Sequence, residues 1–337
     1  MTRIIDVHAH LIAPDLVKEM RRNAARYGLE VGGSEKQPTV RLDGSPHTRP
    51  VPLPLTRIDE RAETMKGQGV DVQVLSSWID FSGYTMAAGV GAAFAEVQNE
   101  TIAAVVKSAP QRYVGAATVP LQDPAAAARV LERAVKDLGF RSVQIATYFD
   151  GERFLDHPSL EPFWEAAEAL EVLVLIHPFD EKFPPGVKDY FLHNCIGYPL
   201  QTSIAMARMI FSGTLSRHKK LRVRFPHAGG FMPYQMERLR RVYRLRPEGK
   251  AGGLAEDPLD VLKRCYFDTV CHSPLALRYL AELVGADRLL LGSDYPFDMA
   301  EDDPVGTVKR ALPAAHQPAV LGETAARLLG LQLPVTK

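Results

Sequence analysis

The chain has 337 residues, with 40 Lys plus Arg against 40 Asp plus Glu, so its formal net charge is 0. That balance excludes a surface built mainly to hold nucleic acid or anionic lipid and favours a small-molecule partner. Hydrophobic residues make up 46% and charged residues 24%, the proportions of a globular chain with ample material for a core.

The N-terminus enters its first β-rich run at once, without the basic and apolar regions of a signal peptide, and no apolar run approaches the ~20 residues of a membrane span. A cytoplasmic protein is expected. Eight β-rich runs follow in order: RIIDVHA (3–9), VDVQVLSS (70–77), YVGAATV (113–119), RSVQIAT (141–147), VLVLIH (172–177), LRVRFPH (221–227), CYFDTVC (265–271) and RLLLGSD (288–294). Segments of helical period separate them. In DPAAAARVLERAVKDLG, Asp123 can cap, Pro124 fits the first turn, Gly139 stops the helix, and Val130, Leu131, Ala134, Val135 and Leu138 form one apolar stripe.

Repeated β-then-α order over this length predicts an α/β fold, a (β/α)8 TIM barrel forming one domain over residues 1–337, with an open doubly wound sheet as the rival. Two insertions interrupt the rhythm, each read as an irregular lid or a small excursion at the barrel mouth: 13–55 after the first strand and 178–198 after the fifth. Both leave from C-terminal strand ends, the edge where barrel enzymes place their active sites.

That edge carries the chemistry. His8 and His10 are two residues apart, and in a strand such side chains share a face and can converge. Alone, the pair reads as a polar strand end. But His177 ends the fifth strand, His227 the sixth and Asp294 the eighth, and barrel closure brings all these ends around one axis. Three neutral imidazoles and a carboxylate can hold a divalent ion that lowers the pKa of a bound water, while an unbound histidine moves the proton. The fourth strand, SVQIATYF, has no Lys, Asp or Glu to bridge a second metal, so one ion is expected.

DVHAH, LIHPFD, FPHAGG and LLLGSDYPF together resemble the amidohydrolase superfamily, in the branch of the α-amino-β-carboxymuconate-ε-semialdehyde decarboxylases. GVDVQVLS, VPLQDP and SPLALRYLAELVGADRLLLGSDYPF extend the similarity over nearly the whole chain. The resemblance implies that His8, His10, His177 and Asp294 are the metal ligands, with His227 and Asp294 the catalytic groups and His227 transferring the proton. It implies that Arg49 and Arg238 grip substrate carboxylates, Arg238 reaching the site of a neighbouring subunit in a homodimer. Zinc is the first expectation, with manganese, iron and cobalt open. Related aromatic-acid decarboxylases commonly begin with Glu-x-His, which this chain lacks.

Further residues are read as substrate contacts or neighbours of the mouth. Trp78 and Phe81 follow the second strand, Phe297 follows SDYP as an apolar wall, and His272 follows the seventh strand; His193 lies in the second insertion. His47, His157, His218 and His316 read as surface or packing, as do Arg240, Arg241, Arg244 and Arg246 as surface or interface. Cys195, Cys265 and Cys271 form no C-x-x-C and are expected to be buried thiols. GVGAAF (89–94) lacks the third glycine and preceding strand of a dinucleotide fingerprint, and no phosphate loop or nucleophile elbow is present.

The expectation is therefore a metal-dependent, non-oxidative decarboxylase of a small unsaturated or aromatic carboxylic acid. A hydrolase of an amide or lactone is the alternative, because an activated water attacks carbonyls equally well. A non-catalytic barrel is disfavoured by the ligand set.

Overall fold

Strand order follows chain order: β1 (Ile5–His10), β2 (Val72–Ser76), β3 (Tyr113–Thr118), β4 (Ser142–Ala146), β5 (Leu173–His177), β6 (Arg222–Phe225), β7 (Tyr266–Asp268) and β8 (Leu289–Leu290) lie side by side in one sheet. Each paired neighbour is parallel. The computed structural model describes residues 3–34, 37–45, 48–149, 153–179 and 183–332. The sheet closes where Val7 N donates to Leu291 O at 2.9 Å and His10 N donates to Tyr295 O at 2.8 Å. This is the expected (β/α)8 barrel.

The strands are near-continuous apolar runs because helices cover their outer face and side chains fill the inside. Every residue of β1, β4 and β5 is buried. The helix Pro124–Lys136 starts as expected, with the Asp123 carboxylate accepting from Ala126 N, and buries Val130, Leu131 and Ala134. At the other end of the chain, Ala325, Leu328 and Leu329 join Ile5, Val7, Val72 and Val74 in a buried cluster that ties the last helix to the barrel. Among the described residues no helix is long and apolar enough to cross a membrane.

Three differences from the sequence reading matter for the site. Of the two readings of 13–55, the small excursion holds and the irregular lid does not: the segment contains the helix Pro14–Arg22 and a three-stranded antiparallel sheet, Glu30–Gly33, Pro38–Arg41 and Thr48–Pro50. Its strands are three or four residues long and interrupted by Gly and Pro, too short for periodicity to register. His47 falls outside the described residues.

The last three strands are shorter than expected, so His227 and Asp294 stand beyond the paired residues, in the left-handed region with φ of +52° and +63°. Non-glycine residues adopt that conformation at a cost of order 1–3 kcal/mol and concentrate at functional sites. The thiols also differ from expectation. Cys265 is buried, but Cys195 is exposed, on the turn leading into the helix Tyr198–Phe211, and Cys271 is intermediate.

Candidate metal centre and active site

β1 does not run as a plain strand. Asp6 pairs with Gln73 and Ala9 with Leu75, so one extra residue is accommodated on β1 between them, a bulge that re-aims the side chains. His8 N, at this irregularity, donates to Asp6 Oδ1 at 2.9 Å. His8 and His10 emerge together, both fully buried, with their Nε2 atoms 3.1 Å apart.

The other strand ends complete the cluster. Asp294 Oδ1 lies 3.2 Å from His8 Nε2 and 3.1 Å from His10 Nε2. The His177 ring centroid lies 5.1 Å from that of His8 and 4.9 Å from that of His10. His227 Nε2 is 3.4 Å from Asp294 Oδ2. One ligand atom from each of His8, His177, His227 and Asp294 falls within a span of 4.8 Å, and His10 Nε2 lies 3.1 Å from both His8 Nε2 and Asp294 Oδ1, so the five expected residues converge.

Tautomers separate the histidines into two kinds. His8 Nδ1 donates to Asp268 Oδ2 at 2.7 Å, and His177 Nδ1 donates to Pro178 O at 2.5 Å. His10 Nδ1 faces Ser76 Oγ at 3.2 Å and Ser77 O at 3.4 Å. An imidazole held through Nδ1–H presents Nε2 as a lone pair, the arrangement that orients metal-ligating histidines. Nε2 of His177 is buried without a hydrogen-bond partner among the described residues, and it belongs to the converging cluster. Such a donor set fits one divalent cation. His227 differs: its Nδ1 has no partner among the described residues, and its side chain is 17% exposed.

Electrostatics agree with the grouping. Burial pushes the Asp294 carboxyl up, but His8, His10 and His227 more than offset it and hold it well below the usual carboxylate range. Burial keeps His10 and His177 below the usual imidazole value, His177 further depressed by its histidine neighbours. For His8 burial is outweighed by Asp294 and Asp268, which carry it up to about 9. A cation bound there takes the place of that proton.

Above the cluster opens a cavity of about 490 Å³ that reaches His177, His227 and Asp294 and is walled by Arg49, Trp78 and Phe297. Phe297 lies 5.2 Å from the His10 ring. Arg49 comes from the edge strand Thr48–Pro50, and its Nη1 is 3.4 Å from Asp80 Oδ2, a buried carboxylate. His193 also lines this cavity.

Some expected contacts fall elsewhere. Phe81 is fully buried behind Trp78, at 5.3 Å between ring centroids, and is not at the mouth. His272 lines an adjoining, more apolar cavity of about 590 Å³ with Phe231, Tyr234 and Leu275, sharing His227 and Asp294 with the first. Arg238 is exposed on the helix Met232–Leu245 and lines neither cavity.

The sequence reading missed Asp268, whose Oδ1 also accepts from Ala228 N at 3.3 Å, directly after His227. A carboxylate ending a barrel strand was the available signal. Gly230 has φ +63°, and a Cβ there would stand 2.3 Å from Pro199 O, so the turn after His227 packs onto the helix Tyr198–Phe211 only with glycine.

Known proteins share this architecture. The amidohydrolase family model matches residues 5–331. The chain is 31% identical over 275 residues to the 2-amino-3-carboxymuconate-6-semialdehyde decarboxylase of Dictyostelium discoideum, covering 81% of this chain and 76% of that one. It is 29% identical over 296 residues to the 6-methylsalicylic acid decarboxylase of Penicillium expansum, covering 87% and 84%. Among solved structures, the 5-carboxyvanillate decarboxylase of Sphingomonas paucimobilis superposes with TM-score 0.82 at 26% identity, covering 98% of this chain and 99% of that one. A dihydroxybenzoic acid decarboxylase from Polaromonas sp. JS666, solved with manganese and 2-nitroresorcinol, superposes with TM-score 0.79 at 22% identity, covering 98% and 97%.

Proposed function

The chain belongs to the amidohydrolase family, and from that premise we propose that it is a metal-dependent, non-oxidative decarboxylase of a small aromatic or unsaturated carboxylic acid. The observation that carries the reading is one cavity with the His/Asp cluster on its floor and Arg49 on its wall. A guanidinium suited to gripping carboxylates lines the same cavity as an imidazole whose Nδ1 has no partner among the described residues.

In this reading His8, His10, His177 and Asp294 hold one divalent ion, which when bound acts as a Lewis acid on the substrate's oxygen atoms. Zinc suits three nitrogens and an oxygen. Manganese occupies the Polaromonas relative, and elemental analysis of protein purified without added metal distinguishes the two.

The chain's own groups do the rest. Arg49 orients the acid, Trp78 and Phe297 hold its unsaturated face, and His227 delivers its proton to the carbon that bears the carboxylate. The bond to that carboxylate then breaks, its electron pair restores the conjugated system, and carbon dioxide leaves. The net change is one proton in and one carbon dioxide out, and His227, partly exposed, is reprotonated from solvent. We also propose a cytoplasmic homodimer in which the exposed Arg238 of each protomer is offered to its partner's cavity.

Incubating metal-replete protein with hydroxybenzoates and carboxylated dienes, while following bicarbonate and product mass together, tests this. Loss of carbon dioxide is expected. Gain of water without that loss overturns it in favour of hydrolysis, which the same residues could serve.

A further inference from the structure

Behind the site lies a buried polar chain that the mechanism above does not use. Arg61, on the helix Ile58–Gln68, is fully buried. Its Nη2 donates to the main-chain oxygen of His10, and its Nη1 donates to Gln73 Oε1 at 3.1 Å. Gln73, on β2, passes the link on, its Nε2 donating to Asp6 Oδ2 at 3.0 Å. Asp6 then accepts from His8 N at 2.9 Å, Ser293 N at 3.0 Å and Ser293 Oγ at 2.6 Å. Ser293 Oγ in turn accepts from Tyr295 N at 3.1 Å, and the Arg61 guanidinium lies 4.7 Å from the centre of the Tyr295 ring.

The chain of contacts therefore ends on the backbone of His8 and His10 and on both sequence neighbours of Asp294. Stability alone is a poor reason for it. Burying a guanidinium and a carboxylate carries a large desolvation cost, and apolar side chains of similar volume often serve a core as well or better. Arg61 Nε adds to that cost, being buried without a hydrogen-bond partner among the described residues. What the network does achieve is geometric: it clamps the bulged end of β1 to the irregular segment after β8 with side chains, adding to the main-chain bonds from His10 N to Tyr295 O and from Asp294 N to His8 O, each 2.8 Å.

We propose that Arg61 is a positioning residue for the metal centre: through His10 O, and through Gln73 and Asp6, it fixes the backbone under His8, His10 and Asp294 and so sets metal affinity and coordination geometry. The proposal rests on the reading of those three residues as ligands.

The test uses the full chain loaded with manganese(II), comparing the parent with Arg61→Met, Arg61→Lys and Gln73→Leu. Affinity is read by chelator competition, geometry by electron paramagnetic resonance of the bound ion, and folding by thermal unfolding without metal. Arg61→Met is expected to lose affinity by about tenfold or more, the scale found for outer-shell partners, with an altered resonance spectrum. Gln73→Leu, which leaves the bond to His10 O, is expected to lose less, and Arg61→Lys to recover part of the loss. Folded Arg61→Met with parental affinity and spectrum overturns the proposal. If that variant does not fold, parental affinity and spectrum in both Gln73→Leu and Arg61→Lys overturn it. Loss of metal from His8→Ala or His177→Ala with no effect at Arg61 refutes the positioning role alone, whereas no metal binding by the parent refutes the ligand reading itself.

Discussion

His8 Nδ1 and Asp268 Oδ2 are 2.7 Å apart, both side chains fully buried, 260 residues apart in sequence and on strands separated by one other in the closed barrel. The carboxylate fixes the imidazole tautomer and aims Nε2 at the cluster. Asp268→Asn keeps the shape but loses the charge that favours Nδ1–H. We expect a fall in metal affinity of roughly 10–100-fold, by chelator competition. A folded Asp268→Asn protein with the parent's affinity would show that the contact is structural only.

His227 and His177 should part company. His177 is anchored through Nδ1 and buried, so His177→Ala is expected to lose metal and activity together. His227 has no such anchor, so His227→Ala is expected to retain metal and lose turnover by roughly 10²–10⁴-fold, the range for a proton-transfer group. Metal content and turnover on the same preparations decide it, and equal metal loss in both variants would mean that His227 is a ligand.

Arg49 reaches the cavity from the excursion's edge strand and is met there by Asp80. Removing a charged hydrogen-bond partner of the substrate costs about 1.5–3 kcal/mol, or roughly 10–150-fold. Arg49→Ala is expected to raise KM by that factor, and Asp80→Asn by less, because the guanidinium survives but is less firmly placed. Steady-state kinetics on the best acid of the panel separates KM from kcat. A loss confined to kcat would place Arg49 in the chemical step instead.

The contrast between His8 and Arg61 explains what was legible in the sequence. His8, His10, His177, His227 and Asp294 could be found because each stands at or just beyond the end of a recognisable strand, and barrel closure makes those ends neighbours without knowledge of any side-chain contact. Asp268 also ends a strand, but its pairing with His8 spans the closure of the barrel, which periodicity does not record. Arg61 was invisible for another reason: a basic residue on a helix ordinarily reads as solvated, and only the packed structure reveals that it points inward. Phe81 failed in the opposite sense, since an aromatic beside a strand end suits a pocket wall as well as the core. The short excursion sheet carried too few residues per strand for an alternating pattern to stand out.

Away from the site, acid stability offers a check on the helix Met232–Leu245 and its anchor. Asp257 accepts from Arg240 Nε at 2.8 Å and Nη2 at 3.0 Å and caps the following short helix through Leu259 N at 2.9 Å. Arg240 holds the Asp257 carboxyl below its ordinary value of 3.8. A carboxyl depressed in the folded state contributes stability that is fully present above the unfolded value and disappears as pH falls through the folded one. Asp257→Asn keeps the cap but not the charge. The parent should therefore melt higher than Asp257→Asn near neutral pH, by roughly 0.3–1.5 °C for a partly exposed pair, and the two curves should converge as pH falls below the ordinary 3.8 and through the lower folded value. Because exposed charges are screened, the neutral-pH difference should also shrink in 1 M salt. A gap that persists unchanged into strong acid would mean that Asp257 stabilises the fold through its cap geometry rather than through Arg240.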